Sequence, residues 1–417
     1  MRQVAPESLT SLGPSSFEHG TARTEAGHVR DFAETWEWLA PLLPRVPVTR
    51  VYDLAPIDFI GVPVWSAVTP LAKDLAVSMG KGATALAAKL SAVMEAIERV
   101  SAEALPPDRV VRGSYQDLAA SGAVDPTAFN LPSDTSYRPD AVYSWTGAYD
   151  LIGRDHRLVP TDLVLNPASE GVTARIETNG LASGNSYAES VLHALYELIE
   201  RDAVSEEDFY TAHHDPGFSP PRPLRIVDPA TVPPGTARDF IEKLGDQRLV
   251  VRIQEIPSAI GVPVFGVVLI DDDFFGSAGE SVTFGGYGAD LDPRRALVRA
   301  ITEACQAHSG VAGGARDVFE SIHSKRRPAE QKRRSELYYG SPTLAFPRER
   351  SGCDDVLQGI EEVVGRLRAA GTEHCLVTEV TRPDLGVPVV RVLVPGLACS
   401  YGETSRTPTL RMLGSVV

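Results

Sequence analysis

Residues 188–203, AESVLHALYELIERDA, and residues 89–103, KLSAVMEAIERVSAE, carry the same pattern, Glu-x-x-Glu-Arg. Both stretches have the composition of a helix. With about 100° of rotation per residue, the acids of each stretch share a stripe less than about 90° wide. Most of the other side chains are apolar, which reverses the proportions of an ordinary surface helix. The two stretches therefore predict buried helices, each with one narrow line of polar groups.

The carboxylates of these helices need positive charge close by, because burying an unpaired carboxylate is costly and two adjacent carboxylates repel each other. One interpretation is a structural ion pair with the arginine of each pattern, although one arginine leaves at least one acid per helix uncompensated. The other interpretation is a divalent metal. Several oxygen ligands without a nearby Cys suit Mg²⁺ better than zinc, and Mg²⁺ held by carboxylates usually also binds phosphate.

Two glycine-rich segments lead into these helices. Residues 178–187, TNGLASGNSY, precede the second helix, where free backbone N–H groups and the helix dipole favour anions. Residues 78–84, SMGKGAT, precede the first helix, and Lys81 lies there between two glycines. Neither segment matches a Walker A motif or a dinucleotide-binding fingerprint. They indicate an anion site, with an ordinary flexible turn as the alternative at Lys81.

Composition limits the classes of function. The chain has 417 residues, 43% of them hydrophobic, and a net charge of −15, which disfavours nucleic acid and anionic membranes as partners. The sequence has neither a secretory signal nor an apolar stretch that could span a membrane. The four cysteines match no zinc spacing and are predicted to be reduced thiols in a cytoplasmic protein.

The organisation predicted from the sequence is a mobile N-terminal arm, residues 1–30, followed by a single domain, residues 31–417. A Gly-x-Pro turn before a β-branched run occurs at residues 60–68, 260–269 and 385–394. Proline can begin a strand but not lie inside a central one. The three copies predict strand entries in repeated βα modules of one α+β fold, with convergent turn chemistry as the alternative.

Three blocks resemble the signature motifs of the YcaO family: residues 78–100, 178–203 and 295–317. The resemblance extends over most of the chain, from residue 49 to residue 397. It implies an α+β fold with mixed or antiparallel sheets flanked by helices, in which ATP and Mg²⁺ are held between acidic helices. It also implies phosphorylation of a peptide amide oxygen, followed by attack of a nucleophile and departure of phosphate.

The resemblance also implies roles for individual residues, although it assigns no general base or other catalytic residue. The acids that would hold Mg²⁺ are Glu95, Glu98, Glu189, Glu197 and Glu200. Glu189 would bind the ion directly or through water. The residues that would contact nucleotide or phosphate are Lys81, Ser91, Asn185, Arg201 and Arg23. The residues that match the third block, with roles that the resemblance leaves open, are Arg299, Glu303 and Gln306.

The chain departs from the family pattern at several positions. Met79 stands where the family often has Gln, Thr69-Pro70 where it often has Arg-Pro, and His308 where it usually has Arg. The chain also lacks the Pro-rich C-terminal tail of members that form azolines with a partner protein. This absence favours the stand-alone, TfuA-associated or bottromycin-type members.

The leading hypothesis is an ATP-dependent enzyme that modifies backbone amides of a precursor peptide in ribosomal natural-product biosynthesis. Sulfide would give a thioamide, a side chain an azoline and an amine an amidine, while water would hydrolyse the amide. A TfuA-like sulfur or recognition partner and a homodimer are expected from the resemblance. The alternatives are a housekeeping role in ribosomal protein methylthiolation and a non-catalytic nucleotide-binding scaffold.

Overall fold

The computed structural model describes the chain in several ranges, from residue 5 to residue 416. These ranges are 5–24, 27–173, 177–215, 217, 221–271, 282–313, 340–347, 353, 355–399 and 406–416. No helix within them is both long enough and apolar enough to cross a membrane.

The described strands form three sheets. The first is an antiparallel sheet of β1 (Arg50–Asp53), β2 (Val64–Val68) and β3 (Val77–Lys81). The second has the order β11 (Val282–Ala289), β10 (Val264–Asp271), β9 (Val250–Ile256), β8 (Arg225–Val227) and β12 (Thr343–Leu344). The third has the order β4 (Val111–Gly113), β5 (Tyr143–Asp150), β13 (Leu376–Glu379), β14 (Val389–Leu393) and β7 (Leu181–Ser183), and β6 (His156–Pro160) also pairs with β5. Only the β8–β12 pair is parallel among the described strands.

Eight α-helices lie in the described ranges. They are α1 (Phe32–Leu39), α2 (Ala85–Ser101), α3 (Tyr115–Leu118), α4 (Tyr187–His213), α5 (Thr236–Asp246), α6 (Pro293–Ala312), α7 (Val356–Ala369) and α8 (Leu410–Ser415). Three of them pack most extensively on the sheets: α2 on β2 and β3, α4 on β14 and β7, and α6 on β11 and β10. This arrangement confirms the predicted α+β class with mainly antiparallel sheets flanked by helices.

The two acidic stretches form α2 and α4, and both helices are largely buried. Each begins at a hydroxyl cap: Thr84 Oγ1 accepts a hydrogen bond from the Ala87 N–H at 3.2 Å, and Ser186 Oγ accepts one from the Glu189 N–H at 3.2 Å. Such caps satisfy one of the free N–H groups at a helix start. Each helix, and with it the line of acids, therefore begins directly after its glycine-rich segment.

The three Gly-x-Pro turns all lead into strands, as predicted. Gly61, Gly261 and Gly386 have φ values of +66°, +73° and +66°, a left-handed conformation that glycine adopts without strain. The strands that follow are β2, β10 and β14, one in each sheet. The same local turn thus introduces one strand into every sheet, whether or not the modules share an origin.

Glycines also let two helices lie unusually close to strands. A Cβ atom added to Gly80 in β3 would lie 2.0 Å from the Ala92 nitrogen of α2. A Cβ atom on Gly286 in β11 would lie 2.1 Å from the Ala304 nitrogen of α6. Because backbone atoms occupy that space, these positions require glycine. The close approach packs the alanine faces of α2 and α6 directly on β3 and β11.

The N-terminal arm is packed against the domain where the structure describes it. Leu12 and Phe17 are 2% and 3% exposed and belong to the same apolar cluster as α4. His156 contacts the Leu12 carbonyl oxygen through Nε2 at 2.9 Å. Mobility of residues 1–30 without ligand stays a prediction, and such motion would have to expose these two apolar side chains.

Candidate functional site

A cavity of about 1280 Å³ lies between α2, α4, α6, β3 and the glycine-rich segment before α4. It is large enough for a nucleotide. All thirteen residues that the family resemblance singled out line it: Arg23, Lys81, Ser91, Glu95, Glu98, Asn185, Glu189, Glu197, Glu200, Arg201, Arg299, Glu303 and Gln306. The structure therefore brings the whole predicted set together, although their individual roles stay predictions.

Glu95 matches the ion-pair interpretation of the acidic helices. Its Oε1 accepts hydrogen bonds from Arg99 at 3.0 and 2.9 Å, and its Oε2 accepts one from the Met79 N–H at 3.2 Å. Arg99 also contacts Asp74, which is 2% exposed in its side chain. The arginine of α2 is thus shared by two acids, and one of them, Asp74, was not predicted.

Among the described residues, no arginine donates a hydrogen bond to Glu98. Its Oε1 accepts hydrogen bonds from the Ser183 N–H and Oγ–H at 2.8 and 2.7 Å. Burial and the charges of Glu95 and Glu197 raise the pKa of Glu98 to about 8, against the effect of the Ser183 hydrogen bonds. The ion-pair interpretation therefore fails for this residue, because its carboxylate lacks a cation while facing two other acids.

The acids of α4 are also incompletely compensated by positive charge. Burial and the charge of Glu200 raise the pKa of Glu197 to about 7, although Arg201 acts to lower it. Burial also raises the pKa of Glu200, with Glu303 adding to the effect. Arg201 lies 3.6 Å from Glu200 and 3.8 Å from Glu303, so its single charge is divided between two acids.

The donor set fits Mg²⁺. Several carboxylates converge on one cavity, and their raised pKa values report a deficit of positive charge that a divalent cation would supply. Hard oxygen ligands of this kind are the ones that Mg²⁺ prefers. Glu98, Glu197 and Glu200 are the acids least compensated by the protein, and they are the strongest candidates to hold the ion.

Glu189 is in a different environment. Its Oε1 lies 2.6 Å from His28 Nδ1, and its Oε2 accepts hydrogen bonds from the Val29 N–H and the Asn185 amide, both at 3.2 Å. Although burial acts to raise the pKa of Glu189, these contacts and His193 hold it at about 2. Glu189 thus fastens the N-terminal segment to α4, and its proposed part in metal binding stays a prediction.

Two histidines next to Glu189 were not assigned to the site from the sequence. The ligand atoms of His28, Glu189 and His193 lie within 4.8 Å of one another. Burial lowers the pKa of His193 to about 3. Because His193 lies on the acidic stripe of α4, helical periodicity could have indicated it as a site residue. His28 gave no such signal, because it lies in a polar segment 161 residues from its partner.

The third block forms the opposite wall of the cavity through α6. Lys81 pairs with Glu303, and the Gln306 amide donates a hydrogen bond to the Met79 carbonyl oxygen at 3.0 Å. Although burial acts to raise the pKa of Glu303, the charges of Lys81 and Arg201 lower it. These contacts join β3 to α6 and hold the Lys81 ammonium group in the cavity.

Arg23 and Arg299 fit a phosphate ligand. Both line the cavity, and the Nε–H group of each is buried without a hydrogen-bond acceptor in the described ranges. A buried donor without a partner costs free energy, and guanidinium groups match phosphate geometry. On the other side of the cavity, Asn185 Oδ1 accepts a hydrogen bond from Thr35 at 2.9 Å, which fixes the orientation of its amide.

His308, the departure from the family pattern in the third block, points away from the cavity. It is 1% exposed, and its two ring nitrogens lie 3.2 Å from Asp58 and 3.1 Å from Asp271. Although burial acts to lower the pKa of His308, these two carboxylates raise it. His308 therefore ties α6 to β10 and to the segment before β2, which is a structural role.

We expect the contacts of His308 with Asp58 and Asp271 to stabilise the folded protein, and we expect this stabilisation to be lost at alkaline pH. The folded pKa of His308 lies above its ordinary value of 6.5, so the contribution is complete below that value and disappears as pH rises through the folded pKa. Urea midpoints of the wild type and His308→Gln should differ most at acidic pH and converge as pH rises. His213→Gln, at the exposed end of α4, is the control. A difference that grows with pH would contradict this role.

Solved structures share the fold. YcaO from Methanopyrus kandleri bound with AMPPCP and Mg²⁺ matches with a TM-score of 0.73 and 24% identity, over 93% of this chain and 97% of that one. A heterocyclase in complex with substrate and cofactor matches with a TM-score of 0.75 and 21% identity, over 97% of this chain and 58% of that one. These similarities establish the architecture.

Relatives in sequence extend over most of the chain. An uncharacterized protein of Methanothermobacter thermautotrophicus is 33% identical over 88% of this chain and 93% of its own length. An uncharacterized protein in the tfuA 3′ region of Rhizobium leguminosarum bv. trifolii is 32% identical over 88% of this chain and 87% of its own. The family model for the ATP- and Mg²⁺-binding YcaO cyclodehydratases matches residues 79–398. The chain therefore belongs to the YcaO family, whose cofactors are ATP and Mg²⁺.

Proposed function

We propose that this protein uses ATP to modify backbone amides of a ribosomally made precursor peptide. The observation that carries the proposal is one cavity in which undercompensated carboxylates face buried arginine donors. The acids suit Mg²⁺ and the arginines suit phosphate, which are the two recognition tasks of an ATP-dependent enzyme. A purely structural ion-pair network would be expected to use every buried arginine donor, whereas the Nε–H groups of Arg23 and Arg299 have no acceptor in the described ranges.

In the proposed reaction, ATP supplies a phosphoryl group that turns the amide oxygen into a leaving group. Glu98, Glu197 and Glu200 would hold Mg²⁺, while Lys81 and the two arginines would neutralise the phosphates. Such preorganised charges act on the charge that develops during phosphoryl transfer. Lys81 is paired with Glu303 without ligand, so binding of phosphate would compete for the same ammonium group.

Sulfide is the nucleophile that we favour, which would make the product a thioamide. A relative that is similar over most of the chain lies in a tfuA 3′ region, and a TfuA-like protein is the partner expected for that chemistry. The proposal leaves a peptide side chain, an amine and water as the other nucleophiles. The thioamide differs in mass from the products of all three, so one measurement distinguishes the sulfur reaction from the rest.

The test is mass spectrometry of the peptide encoded beside the gene after incubation with the full chain, ATP, Mg²⁺ and sulfide. Exchange of oxygen for sulfur supports the thioamide. Loss of one water supports ring or amidine formation, and cleavage of the chain supports hydrolysis. An unchanged peptide, with and without an added TfuA-like protein, would contradict the proposed function, provided that the enzyme preparation binds ATP.

We also expect that no cysteine of the chain acts as a nucleophile or sulfur carrier. Burial raises the pKa of Cys305 and Cys375 far above the ordinary range and that of Cys399 to about 12, whereas a sulfur carrier needs an accessible thiolate. Replacing all four cysteines with Ser or Ala should leave ATP-dependent modification largely intact in the folded protein. A folded single variant that still binds ATP but forms no product would show that a covalent step is required.

A further inference from the structure

A second, smaller cavity of about 50 Å³ lies behind α4, between β14 and the C-terminal segment. It shares no lining residue with the large cavity. Arg391 of β14 and Leu198 of α4 form one side, and residues 129–132 form another. A void of this size holds a few water-sized groups or one small ion, and it is too small for a nucleotide.

Arg391 is the unusual residue in this cavity. Its side chain is buried, with 3% of the residue exposed, and Nε donates a hydrogen bond to the Leu163 carbonyl oxygen at 3.1 Å. Its Nη1 has no acceptor among the described residues. Its one hydrogen bond among the described residues is to a carbonyl oxygen, so no direct ion pair offsets the burial of this charge, which is costly unless an anion supplies the balance.

The other charged groups that line the cavity are already compensated. Arg406 pairs with Glu177 and also donates to the Asn130 carbonyl oxygen at 2.9 Å. Asp162 accepts backbone hydrogen bonds from Ser169, Glu170 and Val172 at 2.9 to 3.0 Å. Glu177 and Glu197 both favour the charged form of Arg391 electrostatically, but neither accepts a hydrogen bond from it in the described ranges, and Glu197 lines the large cavity.

Polar atoms without partners surround the same space. Within the described ranges, Thr173 Oγ1, Asn179 Oδ1 and both side-chain atoms of the Asn130 amide are buried and make no hydrogen bond. Native proteins rarely leave several such atoms around one void, since each costs free energy. Of these atoms, the Thr173 hydroxyl and the Asn130 amide N–H₂ group can donate to an anion held at Arg391, whereas the two amide oxygens can only accept.

We propose that this cavity binds one small monovalent anion, held by the Arg391 guanidinium group and the neighbouring hydroxyl and amide groups. Chloride from solution and hydrosulfide are the two sources of such an ion. The hydrosulfide source rests on the proposed thioamide chemistry, because the site would then hold the nucleophile next to the acidic helix α4. Binding of the anion itself is independent of ATP and peptide.

The test uses the full chain in a chloride-free buffer, with bromide and hydrosulfide as separate ligands. We expect saturable stabilisation in thermal unfolding and, in bromide-soaked crystals, one anomalous peak at Arg391. Arg391→Gln should weaken binding at least about tenfold, as expected when a charged hydrogen bond is lost. Arg382→Gln, which removes a surface guanidinium paired with Asp384, is the matched control and should bind like the wild type.

If Arg391→Gln is too unstable to measure, Thr173→Val should weaken binding while keeping the arginine. Saturation by bromide and hydrosulfide alike identifies a general anion site, whereas preference for hydrosulfide links the site to sulfur chemistry. No saturable effect in the wild type, or an equal effect in Arg391→Gln, would mean that the cavity holds water only and would overturn the proposal. ATP binding, measured separately, shows whether a negative result also affects the proposed function.

Discussion

Glu197→Gln will abolish ATP turnover and at the same time raise the melting temperature of the unliganded protein. The two effects have one cause. Glu197 lies in a cavity with too few cations for its acids, so its charge is unfavourable until Mg²⁺ binds. The amide of Gln removes both the repulsion and the metal ligand. Enzymes commonly keep such destabilising charges where function requires them.

The pH dependence of this effect has a definite sign. The folded pKa values of Glu98 and Glu197, about 8 and about 7, lie above the ordinary value of 4.5. The folded state therefore holds extra protons in this range, and the stability of the unliganded wild type falls as pH rises from 4.5 through these values. The advantage of Glu197→Gln should consequently be larger at pH 8 than at pH 6. Mg²⁺ with ATP should stabilise the wild type but not the variant.

The matched control is Glu206→Gln, on the same helix. Glu206 lies outside the cavity and pairs with Arg411 at 3.0 Å, so its loss should leave turnover unchanged although burial also raises the pKa of this carboxyl. Turnover can be followed by phosphate release, and stability by thermal unfolding at several pH values. Normal turnover by Glu197→Gln at saturating Mg²⁺ would exclude this residue from the metal site.

Gly286→Ala will destabilise the protein strongly, whereas Gly285→Ala will have little effect on stability. At position 286 a methyl group would lie 2.1 Å from the Ala304 nitrogen and 2.4 Å from the Ala300 oxygen, both backbone atoms of α6. At position 285 it meets nothing within 4 Å. Because a helix backbone cannot yield locally, α6 must shift as a unit. Overpacking of this kind costs about 1–3 kcal/mol or more.

Displacement of α6 should also weaken nucleotide binding. Arg299 and Glu303 lie on this helix and line the cavity, so both would move away from Lys81 and the phosphate position. Urea unfolding and ATP titration of the two neighbouring variants measure the two consequences together. If Gly286→Ala and Gly285→Ala are equally stable, β11 and α6 must lie further apart than in the structure.

Local signals in the sequence were sufficient to predict the acidic helices α2 and α4 and the turns that lead into three strands. The acidic stripes of α2 and α4 depend on helical periodicity, and the Gly-x-Pro turns depend on backbone conformations that glycine and proline favour. Both signals are contained in short stretches. The predicted set of thirteen residues then needed the family resemblance, because Arg23, Lys81 and the residues of α6 have no periodic relation to the acids.

The contacts that the sequence did not predict join distant parts of the chain. His28 is 161 residues from Glu189, and Lys81 is 222 residues from Glu303. The position of Asp74 beside Arg99 and the cavity at Arg391 likewise depend on how sheets and helices pack. No local pattern encodes such pairings, since a lone His or Arg in a polar segment is compatible with many environments.

The main cavity has walls from residues 79–99, 178–201 and 285–307, which belong to elements on all three sheets. No contiguous half of the chain contains all three walls. Pairing of such distant segments carries a large loop-closure cost and is slow. A nascent or nicked chain should therefore be unable to hold Mg²⁺ and ATP until the last sheet is in place. Nucleotide then stabilises only the completely folded molecule. Binding of ATP should therefore distinguish the fully assembled protein from partly folded chains.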